Sequence, residues 1–363
     1  MLQCIYGAIN KYNIEDAIIY CNETGNIKRL KYKDVSVISN VFFANLKYLS
    51  EDSSCFGLLM DHNVLIPSLI ISLQQLNCSF LFLDAVQSET SWLIGTIGIK
   101  YIIAYNIKCN IPGTKFLFSI VVDLEKSCDV YLSDSKAFIH KNINYIVHTS
   151  GTTGMQKVVR VENKCIKSNI NCLRNRLQVT NADTIYFGTT LTFDPSMIEL
   201  YLALTTGAKL FIVSKVVKKN PALLYKILFY TKAVDITFLQ MCPSTLLLWR
   251  INDIENMLQY SSLRVLLVGG EDFPIILQKM RRSKLLKVYN IYGITELSCW
   301  SFLAELNEGE EINLGNILDD TVFEIKGENC KSVNEGEGEL FVGSFERICY
   351  LDNERSDTID KPV

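Results

Sequence analysis

Residues 145–161 read YIVHTSGTTGMQKVVRV. An apolar run ends in Thr149-Ser150-Gly151-Thr152-Thr153-Gly154, and a single lysine, Lys157, follows three residues later. Small and hydroxyl-bearing residues leave backbone N–H groups uncovered, which is the surface an anion needs. Lys157 adds one mobile positive charge. The spacing is not G-x-x-x-x-G-K-[ST], because Lys157 does not directly follow a glycine, and it is not G-x-G-x-x-G. No G-x-S-x-G elbow occurs, so Ser150 is a poor hydrolase nucleophile. The residues after the loop, KVVRV, read as a short strand rather than a helix. A nest of N–H groups and hydroxyls between two strands is therefore expected, holding a phosphate without a helix terminus. Taken alone, the loop reads equally well as a Gly-rich surface turn.

The chain around this loop has 363 residues, more than one compact core usually holds, so at least two lobes are expected. Hydrophobic residues make up 48% and charged residues 21%, a globular balance. Lys+Arg number 36 against Asp+Glu 39, so no basic excess exists to neutralise a nucleic-acid backbone. The N-terminus lacks a basic segment followed by an apolar one, so no secretory signal is visible and a cytoplasmic setting is expected. The most apolar stretch, VLIPSLIISL from Val64, is too short to span a bilayer and reads as a buried helix. Twelve cysteines include no C-x-x-C pair, which suits reduced core thiols, and His62, His140 and His148 have no metal-ligand spacing.

Apolar runs rich in β-formers alternate with runs of helical period. Strands are expected at CFGLLM, SFLFLD, YIIAY, FSIVVD and YIVHT, and then at DTIYFGTT, KLFIVS, DITFLQM, LRVLLVGG and KVYNIYG. Helices are expected between them, at PSMIELYLALTTG, ALLYKILFYTKA, STLLLWRIND and IILQKMRR. Another follows the loop, with Ile166, Ile170, Leu173 and Leu177 on one face and Asn163 as its N-cap. This order predicts an α/β fold with parallel-rich sheets covered on both faces. From about residue 305 the pattern changes to short strands broken by acidic Gly turns, the expected start of an antiparallel or barrel subdomain.

Three further stretches follow in order: LTFDPSMIEL, LRVLLVGGEDFP and VYNIYGITELSCW. With the glycine-rich loop they form the set SGTTG-x-x-K, FDxS, GGE and YGxTE. In this combination the sequence resembles the adenylate-forming, or AMP-binding, superfamily of acyl-CoA synthetases, luciferases and adenylation domains, over essentially the whole chain. The wording of the motifs, with ERICYLDNE near the end, is most similar to the beta-alanine-activating enzyme family, also called acyl-CoA synthetase family member 4 or aminoadipate-semialdehyde dehydrogenase-like. The resemblance implies the large N-terminal domain of that fold: two layered α/β subdomains over about residues 1–304, and the start of a small β-barrel subdomain over about 305–363.

The reaction it implies joins a carboxylate to the α-phosphate of ATP and expels pyrophosphate. Catalysis there is mostly positioning and electrostatic stabilisation. By the same resemblance Thr149, Ser150, Gly151, Thr152, Thr153, Gly154 and Lys157 hold phosphates. Tyr292 stacks on adenine beside Gly293, and Asn290 meets its edge near Gly269, Gly270 and Glu271. Thr295 touches the α-phosphate and Glu296 binds Mg²⁺, an assignment that suits an oxygen ligand shared with phosphates. Lys157, Thr295 and Glu296 are the implied catalytic residues. Asp194 matches the aspartate that pairs with the substrate's ammonium in amino-acid-activating relatives. A carboxylate in so apolar a stretch needs a partner if buried, and the alternative role is a helix N-cap before Pro195. Pro195, Ile198, Gln240, Leu267, Gly269, Ile291, Cys299 and Trp300 complete the implied substrate pocket, with Trp300 filling space and Gln240 adding a polar contact. A small amino acid such as beta-alanine is the implied substrate, and the pantetheine thiol of a carrier domain or of CoA the acceptor.

Some positions depart from the family pattern. Gln156 stands where a proline is usual and Val158 where a glycine is usual, and neither change removes a phosphate-binding group. Glycine is replaced at Asn77 and proline at Val86, in a structural region. The chain reaches Val363 before the TGD motif, whose Asp binds ribose, and before the hinge and the C-terminal domain with its catalytic lysine. The expectation is therefore a fragment, a partial gene model or a truncated isoform, with weak nucleotide binding and little adenylation on its own. Two other functions stay open from the sequence: an acyl-CoA synthetase for a fatty or aryl acid, and a non-catalytic nucleotide-binding or regulatory module.

Overall fold

The computed structural model describes residues 1–51, 53–84, 87–123, 125–138, 140, 142–149, 157–231, 234–327, 332–333, 336–347 and 349–351, without the side chains of 87–89. Two large mixed sheets organise them. The first runs in the order Asn316–Ile317, Phe302–Glu305, Lys287–Tyr292, Val265–Gly269, Phe238–Met241, Thr184–Tyr186, Lys209–Val213, Asp16–Cys21, Ile27–Lys31. Its central pairs are parallel and its two edges antiparallel. The second runs Cys349–Leu351, Lys157–Glu162, Ile143–Thr149, Ser79–Phe82, Cys55–Leu59, Tyr101–Ala104, Ser127–Ser133, Thr114–Val121. It too is parallel at its centre and antiparallel at its edges.

Strand alternation assigns each side chain to a layer. Ile18, Leu210 and Ile212 point into the principal core, while Ile19, Phe211 and Val213 point to the outer face of the first sheet. Phe56 and Leu58 enter the same principal core from the second sheet, and Cys55 and Leu59 face its outer side. The principal core lies between the sheets and contains residues of the Leu2–Lys11, Tyr32–Leu46, Ile66–Gln75, Asn163–Arg176 and Pro195–Thr206 helices. Every residue of the mostly apolar Pro195–Thr206 helix is buried, Glu199 included. It ends at Gly207 in the left-handed conformation (φ 83°), and a Cβ there would meet the Tyr12 ring at 2.1 Å.

The parallel-rich α/β reading is what the structure contains, and the strand at KVVRV follows the loop as expected. Several local expectations are corrected. Asn163 is the first helical residue, not the cap, because the chain passes directly from the Lys157–Glu162 strand into the helix. Its side chain instead accepts from the buried Asn144 amide at 2.7 Å. STLLLWRIND is two helices, Pro243–Leu246 and Ile251–Tyr260. ALLYKILFYTKA is helical only from Pro221 to Tyr225 before it widens into a π turn, and IILQKMRR is helical only over Ile275–Lys279. The strand Ser127–Ser133, paired between Tyr101–Ala104 and the edge strand Thr114–Val121, was not anticipated. Beyond residue 305, Val322–Lys326 and Glu339–Gly343 form a separate antiparallel pair, while Cys349–Leu351 returns to the second sheet. Among the described residues no helix is long and apolar enough to cross a membrane.

Candidate functional site

The site lies where strand ends and turns of the two sheets meet. Thr149 pairs with Lys157 across two antiparallel strands, so the glycine-rich segment lies between their paired ends in the chain. Ser150, Gly151, Thr152, Thr153 and Gly154 lie outside the described residues. Lys157 is described, and its Nζ stands 3.9 Å from Oε1 of Glu296, with both side chains partly exposed. Glu296 and Thr295 sit in one helical turn, Thr295–Leu297, directly after the Lys287–Tyr292 strand. Thr295 Oγ1 donates to Oδ1 of Asp194 over 3.4 Å. Four expected residues from three distant segments are thus neighbours: Lys157, Glu296, Thr295 and Asp194.

Asp194 is 5% exposed. It occupies the N-cap position of Pro195–Thr206, yet its side chain caps no backbone N–H, so the capping role is not used. Its Oδ2 is buried and has no hydrogen bond. Burial pushes its carboxyl up to about 7, its own backbone N–H and the Thr295 hydroxyl pull it back, and the nearby Glu296 raises it further.

Among the residues expected around adenine, Tyr292 is half-buried with its ring centroid 6.1 Å from that of Phe302, and Asn290 is buried with its amide donating to the Asn313 carbonyl at 2.8 Å. Glu271 accepts from the Ser244 N–H and hydroxyl at 2.8 and 2.6 Å. Two glycines permit close backbone contact. A Cβ on Gly269 would lie 2.1 Å from the Ile291 carbonyl, and one on Gly293 would lie 2.0 Å from the Cys299 carbonyl.

A cleft of about 760 Å³ opens beside these residues, lined by Pro195, Gln240, Gly269, Gly270, Glu271 and Trp300 among others. Ile198, Leu267, Ile291 and Cys299 are buried behind that wall. Gln240 is held inside the wall itself. Its amide donates to the Pro195 carbonyl at 2.9 Å and to Glu199 at 3.0 Å, and its oxygen accepts from the Trp300 indole at 3.2 Å.

Glu199 is a residue the sequence reading missed. It is fully buried and accepts from the Gly188 and Thr189 N–H groups and the Thr189 hydroxyl. Burial pushes its carboxyl up to about 7, opposed by the Thr189 hydrogen bonds. The signal was present: a carboxylate inside SMIELYLALT raises the same question that singled out Asp194. Arg347 was also missed. It is 2% exposed, donates to the Leu297 and Trp300 carbonyls at 3.3 and 2.8 Å, and bonds the Thr321 hydroxyl. Asn169 grips Trp300 from the other side through its carbonyl and N–H. These ties hold the turn after Glu296, where Ser298 (φ 56°) and Cys299 (φ 96°) are both left-handed. No sequence motif marks either tie.

Residues 115–345 match the family model described as AMP-binding enzyme. The chain is 30% identical to the Beta-alanine-activating enzyme of Danio rerio, across 98% of this chain and 34% of that protein. It is 36% identical to the Beta-alanine-activating enzyme of Homo sapiens, across 62% of this chain and 22% of that protein. Its fold is similar to a four-domain nonribosomal peptide synthetase solved with AMP and glycine, with a TM-score of 0.74 and 22% identity, covering 95% of this chain and 25% of that one. The chain spans about a third or less of the length of the curated relatives it matches. With the family model matching more than half of its residues, the chain belongs to the AMP-binding enzyme family.

Proposed function

We propose that this chain binds ATP with Mg²⁺ and a small, beta-alanine-like amino acid, and takes part in forming the aminoacyl-adenylate. In that reaction a substrate carboxylate oxygen bonds to the α-phosphorus, the bond to the β-phosphate oxygen breaks, and pyrophosphate leaves. The acyl group then passes to a pantetheine thiol, of a carrier domain or of CoA. The observation that carries the reading is the buried, unpartnered Oδ2 of Asp194, whose other oxygen lies 3.4 Å from Thr295, the residue read as meeting the α-phosphate. A buried carboxylate without a partner is costly, and a substrate ammonium is the partner a fatty acid cannot supply.

Each residue has a task in this reading. The backbone and hydroxyls of Thr149 to Gly154 cradle phosphate oxygens, and Lys157 neutralises them. Thr295 stands between the Asp194 carboxylate and the phosphate side, where it orients the α-phosphate. Tyr292 presents a ring to adenine, and Asn290, Gly269, Gly270 and Glu271 frame it. Glu296, a partly exposed carboxylate beside Lys157, fits a Mg²⁺ that arrives with ATP, since that ion takes one or two protein carboxylates plus substrate phosphates. When bound, Mg²⁺ offsets charge on the phosphoryl oxygens. Pro195, Ile198, Gln240, Leu267, Ile291, Cys299 and Trp300 shape the substrate wall. The residues from about 305 onward are read as the beginning of a small β subdomain, supported by the separate antiparallel pair there. ATP as substrate suits a cytoplasmic setting.

The test is ATP–pyrophosphate exchange by the protein with and without beta-alanine, alongside calorimetry of ATP·Mg²⁺ binding. Exchange that needs the amino acid supports the reading. Exchange driven equally by fatty or aryl acids would move the assignment to an acyl-CoA synthetase, a reading favoured by the size of the cleft, about 760 Å³. Nucleotide binding without exchange would leave a binding module.

A further inference from the structure

The cleft of about 760 Å³ has a far end that no role above uses. Parallel strands of the first sheet end in a row along its wall. Gly269 and Gly270 stand at the end of Val265–Gly269, Met241 at the end of Phe238–Met241, and Gly188 just after Thr184–Tyr186. Lys215, Lys218 and Lys219 follow Lys209–Val213 and line the same cleft. At the usual strand spacing these lysines lie about 14 Å from the Val265–Gly269 end and about 19 Å from the Lys287–Tyr292 end. On the opposite wall His62 follows Cys55–Leu59. That strand is about 10 Å from Ile143–Thr149, which leads to the glycine-rich segment. The far end is thus separate from the adenine residues and from the phosphate segment.

Its charges are not balanced. Lys215 pairs with Asp61 at 2.9 Å, but Lys218 and Lys219 form no salt bridge among the described residues. Lys218 is half-buried, and its Nζ donates to Nδ1 of His62 over 3.4 Å. Burial and the lysine charge keep that imidazole neutral, so it accepts without supplying a counter-charge. Glu199 and Asp61 favour the Lys218 ammonium only from beyond ion-pair distance. Asp61 is committed to Lys215, and Glu199 to the Gly188 and Thr189 N–H groups. A half-buried cation without a counter-ion, beside open space, calls for an anion. The wall leading to it is mixed, with Val213, Leu224 and Met241 apolar and Thr190 and Thr192 bearing hydroxyls. Length then selects the ligand. A second carboxylate on a small amino acid, about 5 bonds from the first, reaches only about 6 Å. The phosphorus of a phosphopantetheine arm is about 13 bonds from its thiol, roughly 15 Å when extended.

We propose that Lys218, with Lys219 beside it, binds the phosphate of the acceptor's phosphopantetheine arm, which lies along the strand ends with its thiol toward the substrate. This rests on the adenylate reading above and gives the acceptor an anchoring residue that no motif assigns. His62 positions the Lys218 ammonium and leaves its charge for the ligand.

The experiment is calorimetry on the 363-residue chain loaded with beta-alanyl sulfamoyl-adenosine, a non-reactive adenylate mimic. Phosphopantetheine, pantetheine and CoA are then titrated. Wild type should bind phosphopantetheine about tenfold more tightly than pantetheine. Lys218→Met should abolish that preference and leave pantetheine and the mimic unchanged, while Lys218→Arg should keep most of it. The thermal unfolding midpoint of Lys218→Met should hold or rise, because the variant removes a half-buried charge that has no counter-ion. CoA no tighter than phosphopantetheine identifies a carrier domain as the source of the arm, and tighter CoA identifies the free cofactor; both uphold the phosphate site. Equal wild-type affinity for pantetheine and phosphopantetheine overturns it, and the adenylate reading stands if the mimic binds. A Lys218→Met variant that weakens the mimic as much as phosphopantetheine assigns the lysine to the nucleotide site and also overturns it. If the mimic does not bind, the adenylate reading fails; a phosphopantetheine preference in that case keeps the phosphate site, and its absence overturns both.

Discussion

Thr295 Oγ1 and Asp194 Oδ1 lie 3.4 Å apart although 101 residues separate them in the chain. The contact joins the residue expected at the α-phosphate to the residue expected at the substrate. Changes at Asp194 should therefore be felt on both sides of the reaction.

The first prediction concerns Asp194 and pH. Its folded carboxyl is raised to about 7 by burial, so the folded state holds a proton that the unfolded chain has already lost above the usual carboxylate range. The stability it contributes is present at low pH and is lost as pH rises toward 7 in the ligand-free protein. Glu296, Tyr145, Cys299 and Cys349 face the same group; Glu296 raises the Asp194 carboxyl, and Asp194 in turn raises the other three. Asp194→Asn should gain roughly 3–4 kcal/mol in urea unfolding at pH 8, less than half of that at pH 5, and almost nothing at pH 3. A gain that does not vary with pH would show that Asp194 carries no buried charge.

Lys157→Ala separates binding from stability. The ion pair with Glu296 is long, 3.9 Å, and partly exposed, so its removal should change unfolding free energy by less than about 1 kcal/mol. Affinity for ATP·Mg²⁺ should still fall about tenfold or more, because in the proposed role the lysine meets phosphate directly. Equal calorimetric heats for wild type and variant would exclude Lys157 from the nucleotide site.

Glu199 should behave as a framework residue. Glu199→Leu leaves the Gly188 and Thr189 N–H groups and the Gln240 amide without their acceptor, and should cost about 3–5 kcal/mol. Glu199→Gln keeps an acceptor oxygen and should lose less than half as much. Denaturant midpoints for the pair decide this. A leucine variant as stable as wild type would mean that the network holds nothing.

Arg347→Met removes the donors that hold the Leu297 and Trp300 carbonyls. A loss of about 2–4 kcal/mol is expected, with a changed near-ultraviolet circular dichroism signal as the Trp300 environment loosens. Nucleotide affinity should fall too, since Thr295 and Glu296 belong to the same turn. Retained ellipticity and affinity would detach Arg347 from the site.

Much of the fold was legible because it rests on local pattern. The apolar β-rich runs YIVHT, KLFIVS and LRVLLVGG suit strands buried on both faces, and the mostly apolar PSMIELYLALTTG suits a buried helix. Expectations failed where local pattern was ambiguous. Asn163 looked like a cap, but the buried Asn144 amide needed its oxygen, a demand made from 19 residues away. STLLLWRIND kept helical period across a break that its sequence does not mark.

The sequence by itself determined the alternating α/β order, the glycine-rich segment between two strands and the residue types available for phosphate and amine. These depend on neighbours within a few positions, where backbone sterics and side-chain period decide the outcome. Only the tertiary structure decided which of them meet. It placed Thr295 against Asp194 and turned the Gln240 amide into the wall. It left Oδ2 of Asp194 buried without a partner. Whether a buried polar atom is satisfied depends on groups that folding brings from far along the chain, so no short motif encodes it.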